Sequence, residues 1–187
     1  MNPNKLSLFS LFISTIMLST AAFAADIVSR PSSSEKLSDP EIASIVVAAN
    51  NVDIEAGKFA AKHSTNPKVQ AFARTMESDH TSVNKEATDL VTKLNVKPKE
   101  NETSRKLTSD GERTLARLKK SHGAEFDKAY IDNEVAYHEA VIDMVKTRLI
   151  PEATNEELRN LLVKVSPTFV EHLNHAKSLQ SELQRVG

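Results

Sequence analysis

The chain has 187 residues, 24 Lys and Arg against 25 Asp and Glu, a formal net charge of −1 and no cysteine. That balance leaves no electrostatic footprint for nucleic acid. The missing cysteines exclude a disulfide framework, a thiolate metal site, a haem-attachment pair and a lipidated anchor.

The N-terminus reads as an export signal. Lys5 supplies one positive charge, residues 6–20 are apolar or small without charge, and Ala22-Phe23-Ala24 is a small-x-small cleavage site. Residues 1–24 are therefore expected to be a signal peptide, leaving Ala25 as the mature N-terminus. The apolar run is short against the roughly 20 residues of a spanning helix, so no membrane span is expected in the mature chain. Residues 25–38 are polar and Ser-rich and read as a flexible lead-in. Residues 39–187 form the expected domain.

Few glycines, no tryptophan and abundant Ala, Leu, Lys, Glu and Val favour an all-α fold. Helix one is predicted over residues 40–63, with Asp39 as cap and Pro40 at its first position. Its stripe is Ile42, Ile45, Val46, Ala49, Val52, Ala56, Phe59 and Ala60. Helix two is predicted over 66–94, opened by Asn66-Pro67, with Val69, Phe72, Met76, Val83 and Leu90 on its stripe. Residues 95–122 read as a long polar connection containing a short helix within 109–121. Helix three is predicted over 124–149, stopped by Pro151. Helix four covers 155–184 and is expected to kink at Pro167, or to restart there with Ser166 as a cap. Two tight hairpins joined by one long connection predict a ferritin-like four-helix bundle, with a long crossover between helices two and three.

Several polar residues fall on the inner stripes at about 100° per residue. Asp53 lies within the stripe of helix one and His80 at the centre of that of helix two. Glu77 and His80 form a Glu-x-x-His pair over adjacent turns. Glu134 lies inside the face of helix three, with His138 at its edge one turn on, and His172 is on the stripe of helix four. Asp53, His80, Glu134 and His172 each fall near mid-helix, so antiparallel packing brings them to one level. Carboxylates and imidazoles converging in a bundle hold a divalent transition metal or satisfy one another in a metal-free network. The metal set would be Asp53, Glu77, His80, Glu134, His138 and His172. His63 and His122 read as solvated helix-end residues. No phosphate loop, Gly-x-Ser-x-Gly elbow or His-Glu-x-x-His is present, so no catalytic residue is assigned and an enzyme is not expected.

Residues 50–60 (NNVDIEAGKFA) and 69–84 (VQAFARTMESDHTSVN) resemble the bacterial domain-of-unknown-function 4142 family, often labelled exported or outer-membrane proteins. Residues 126–131 (FDKAYI), His138, and Pro167 followed by His172-Leu173 match its pattern too. The resemblance covers about residues 39–183 and implies a ferritin-like fold in an exported, periplasmic protein, with outer-membrane association open. It supplies no activity. Asp53 stands where the family usually has Glu. The di-iron pattern of the wider ferritin-like superfamily wants Glu from two helices and Glu-x-x-His from the other two. Only Glu77 and His80 match that spacing, and three residues before His172 stands Phe169. Two functions are therefore expected: an envelope protein binding a transition metal, or a non-catalytic interaction or stress-related module with a metal-free core. The reading allows a homo-oligomer and names no partner.

Overall fold

The computed structural model describes residues 36–186. The expected signal peptide and residues 25–35 of the expected lead-in lie outside the described residues. Among the described residues the fold is helical throughout: α1 (Asp39–His63), α2 (Pro67–Lys93), α3 (Glu102–Leu118), α4 (Gly123–Met144), a π-helical turn (Val145–Leu149), α5 (Ile150–Glu152) and α6 (Glu156–Val186). No helix among them is long and apolar enough to cross a membrane.

The start of α1 differs from expectation by one residue. Ser38, not Asp39, is its cap: the Ser38 N–H and hydroxyl both reach Glu41 Oε2, at 3.0 and 2.6 Å. This is the Ser-x-x-Glu device that satisfies helix-end donors. Asp39 serves another helix instead. Its carboxylate accepts from the backbone N–H groups of Thr154 and Asn155 at 2.8 and 3.0 Å, fixing the start of α6 beside that of α1. Leu37, within the expected lead-in, is tied down through its N–H to Glu152 Oε2 at 2.6 Å.

Polar contacts give the helix directions. Asn51 meets Asn84 and Ser64 meets Asp127, so α2 and α4 both run opposite to α1. Lys68–Glu182, Glu86–Lys164 and Lys93–Glu157 pair α2 with α6 along their lengths in the opposite sense. Helix α3 begins beside the first turn of α1, where Asn101 Nδ2 donates to the Glu41 carbonyl at 3.3 Å. It ends beside the last turn, where His63 Nε2 lies 3.2 Å from the Ser121 carbonyl.

This helix is longer than expected and starts earlier. Its signal is a cap, since the Asn101 side chain accepts from Ser104 N–H while the Ser104 hydroxyl accepts from Asn101 N–H, rather than a stripe. Only Ser104 and Leu118 of α3 are buried. The histidines expected to be solvated also meet: His63 Nε2 is 3.2 Å from His122 Nδ1, and its ring stacks on Phe59.

The prolines behave individually. Pro151 follows the π-helical turn, in which the Ile150 N–H reaches the Val145 carbonyl five residues back. The widened turn absorbs a residue where Pro151 has no N–H to give. Pro167 does not break α6, which runs continuously through it. The carbonyl that loses its donor belongs to Val163, on a face where that side chain is 52% exposed and water is at hand.

The apolar core has two parts. One contains Ile42, Ile45, Val83, Ala87, Val141, Leu162, Val165 and Phe169. The other contains Ala56, Ala60, Phe72, Met76, Phe126, Tyr130, Ile131, Ala176 and Leu179. On each of α1, α2, α4 and α6 a polar residue lies in the interval between them: Asp53, His80, His138 and His172. Glu134 borders the same interval. Just beyond Asp53, Gly57 lets α1 approach α2, because a Cβ there would stand 2.8 Å from the Ala73 carbonyl.

Candidate metal centre

Four helices bring side chains to two overlapping buried groups. Asp53 comes from α1, His80 from α2, Glu134 and His138 from successive turns of α4, and His172 from α6; all are at most 5% exposed. The three imidazole rings form a nearly equilateral triangle, with centroids 5.6 Å (His80–His138), 5.3 Å (His80–His172) and 5.5 Å (His138–His172) apart. Phe169, one helical turn before His172, stacks on His80 at 5.5 Å and 3°.

The hydrogen bonds fix which nitrogen of each ring carries the proton. Asn50 Nδ2 donates to the Val46 carbonyl, so its Oδ1 is the acceptor facing His80 Nδ1 at 2.7 Å, and that nitrogen is N–H. His138 Nδ1 donates to the Glu134 carbonyl at 3.0 Å. His172 Nε2 donates to Asp79 Oδ2 at 2.9 Å. The opposite nitrogens, His80 Nε2, His138 Nε2 and His172 Nδ1, are then bare lone pairs. All three are buried without a hydrogen-bond partner, as are both carboxylate oxygens of Glu134. Leaving such an atom unsatisfied costs about 1–3 kcal/mol. The three nitrogens together are a large local penalty unless something fills the space between them.

The distances allow a shared ion. His80 Nε2 lies 3.5 Å from Asp53 Oδ2. That is long for a hydrogen bond, whose N···O distance is about 2.7–3.2 Å. It matches two ligands of one ion, since bonds of about 2.1 Å at a tetrahedral angle leave the donors about 3.4 Å apart. Donor atoms of His80, His138 and His172 lie within 4.8 Å of one another, and so do those of Asp53, Glu134 and His138.

Burial sets the charge state. It holds the His80 imidazole well below its ordinary range, helped by His138 and His172. Burial and then His172 bring His138 down to about 4. The Asp53 carboxyl is pushed well above its usual range, first by burial and then by facing Glu134. Glu134 is raised too, by burial. Without an ion the set is neutral imidazoles around carboxyls that hold their protons, the low-charge state a water-poor interior tolerates.

Five of the six residues expected around a metal fall in two overlapping groups, His80-His138-His172 and Asp53-Glu134-His138. Glu77 is only half-buried and belongs to neither group. Two residues of the arrangement were not anticipated. Asn50 orients His80 and lies on the same face one turn before Asp53, a placement the periodicity itself could have found. Asp79 orients His172 from the neighbouring helix, which no single-helix pattern reports.

No curated protein and no solved structure matches this chain. The model of one family, described as a domain of unknown function (DUF4142), does match it, over residues 25–179. The residues of the buried cluster all fall within that span, and the chain belongs to this family.

Proposed function

We propose that this protein is an exported cell-envelope bundle that binds one divalent transition-metal ion at its centre. Residues 1–24 serve as the signal peptide, the lead-in ends near residue 38, and residues 39–187 are the working domain. The fold is read as ferritin-like, with α3 as the crossover between the two helical hairpins. The ligands are His80 Nε2, His138 Nε2 and His172 Nδ1, completed by the carboxylates of Asp53 and Glu134.

The observation that carries this reading is the three inward imidazole nitrogens, buried and unpartnered while the other nitrogen of each ring is held by its own acceptor. That outer support is how protein metal sites orient histidine ligands. With no cysteine in the chain, the donors are nitrogen and oxygen, which suit Zn, Cu(II), Ni, Fe and Mn rather than Cu(I). Two ionised carboxylates neutralise a divalent charge, so the filled site stays neutral overall. A di-iron centre is disfavoured, because the second Glu-x-x-His it wants is missing: Phe169 stands three residues before His172.

The alternative is a metal-free structural network, favoured by the protonation states that keep the empty set neutral. Metal analysis of protein purified without a His-tag separates the two. The expected result is one ion per chain, with added Zn(II) or Co(II) raising the Tm of demetallated wild type but not of His80→Leu, by mass action. Protein that carries no ion, and whose Tm no divalent metal moves, would leave the network reading. Intact mass of the exported protein checks the leader: a chain beginning at Ala25 is expected.

A further inference from the structure

The three imidazoles are supported differently, and the difference concerns access. Asn50 is 3% exposed and the Glu134 residue is fully buried. Asp79 alone among these hydrogen-bonding partners reaches water: its side chain is 40% exposed, while that of His172 is 6% exposed. One bond of 2.9 Å, from His172 Nε2 to Asp79 Oδ2, thus links solvent to a ring whose other nitrogen points inward without a partner. The electrostatic surroundings of His172 also include Glu171 and His175, both exposed on α6. An oxygen donor and an imidazole therefore flank the outside of the same ring.

We propose that Asp79 is the portal of the metal site: its carboxylate captures the hydrated divalent cation at the surface, and opening of the Asp79–His172 bond admits the ion to the buried ligands. This rests on the metal-binding reading above. A hydrated dication does not cross an apolar core unaided, because losing its water without replacement ligands costs far more than one hydrogen bond. A carboxylate replaces one of those waters while still in solvent. The imidazole it holds then offers the next ligand, and His80 and His138 follow within 4.8 Å. In the resting state the same carboxylate keeps Nε2 of His172 protonated, so Nδ1 is the free nitrogen facing the site.

The test is the rate of ion uptake and release, followed by stopped-flow absorption with Co(II) on demetallated full-length protein. Asp79→Asn keeps an acceptor for His172 Nε2 and removes only the charge. It is expected to slow uptake at least about tenfold, as loss of electrostatic capture does, and to slow release in parallel, because the ion leaves through the same portal. The salt dependence of the uptake rate falls with it. Asp79→Glu keeps the charge and stays near the wild-type rate, and Asp132→Asn, a surface change of equal charge elsewhere, has no effect. Uptake by Asp79→Asn within twofold of wild type overturns the proposal. So does a loss of affinity carried wholly by faster release, which would make Asp79 an orienting partner only. Wild type that takes up no Co(II) at all sinks the metal reading itself, a distinguishable result.

Discussion

Asn50 and His80, on neighbouring antiparallel helices, are joined by a bond of 2.7 Å that decides what the imidazole can do. Because the Asn50 amide gives its own N–H to the Val46 carbonyl at 2.9 Å, it can only accept from His80. The bond therefore selects the Nδ1–H tautomer and leaves Nε2 as a lone pair beside Asp53.

Asn50→Leu tests this relationship. Leucine is close in size to asparagine but accepts nothing, so His80 loses both its tautomer preference and its orientation. Outer partners of metal-bound histidines are worth about 10–100-fold in affinity. A loss of that order is expected in a competitive titration with Zn(II), with the helical content of the variant unchanged. Unaltered affinity would mean that the His80 tautomer is set by something other than Asn50.

The sequence showed much of this because the helices alternate on a 3.6-residue period. His80 and His172 interrupt apolar stripes, and Asp53 sits between Ala49 and Ala56, so each stands out as a polar intruder. His138 was visible at the edge of its stripe. What the period could not show is relations between helices. Asp79 looks like a flanking surface acid until α6 is placed against α2. Helix α3 has almost no buried stripe, so only its Asn101 cap marks where it begins. Glu77 lies half-buried outside both ligand groups, and the Glu-x-x-His spacing alone does not say which neighbour a side chain faces. Of the two outcomes expected at Pro167, the restart does not occur, since the cost of an interior proline depends on whether water reaches the carbonyl it strands.

Stability at low pH should depend on Glu152. Its carboxylate takes the Arg148 guanidinium at 2.9 Å and the Leu37 N–H at 2.6 Å. The Arg148 hydrogen bond comes first in holding its carboxyl below the ordinary glutamate range. A carboxylate whose folded pKa is depressed contributes stability above its unfolded pKa and loses that contribution as pH falls through the folded value. Wild type should therefore melt above Glu152→Gln near neutral pH. The Tm gap should narrow as pH drops below about 4.3, the ordinary value for this group. A gap that is constant with pH would show that the charge contributes nothing and that only the shape of the side chain counts.

The proposed site holds one ion, shared by the three imidazoles. Each of His80, His138 and His172 spends one ring nitrogen on a fixed acceptor and keeps one free. A single nitrogen lone pair binds a single ion, so the two overlapping ligand groups that share His138 cannot be filled by separate ions through that ring. Three rings with centroids 5.3–5.6 Å apart also fit one centre. Nitrogens about 2.1 Å from a common ion place their ring centroids roughly 5–5.5 Å apart. Cu(II) is a suitable probe, because its unpaired electron reports the nitrogens bound to it. Titration of demetallated protein should saturate at one Cu(II) per chain. The EPR spectrum should be that of an isolated ion, with superhyperfine structure from three imidazole nitrogens, reduced to two in His138→Leu. Two ions per chain, or a spin-coupled pair, would overturn the single-ion centre and reassign the carboxylates as bridges.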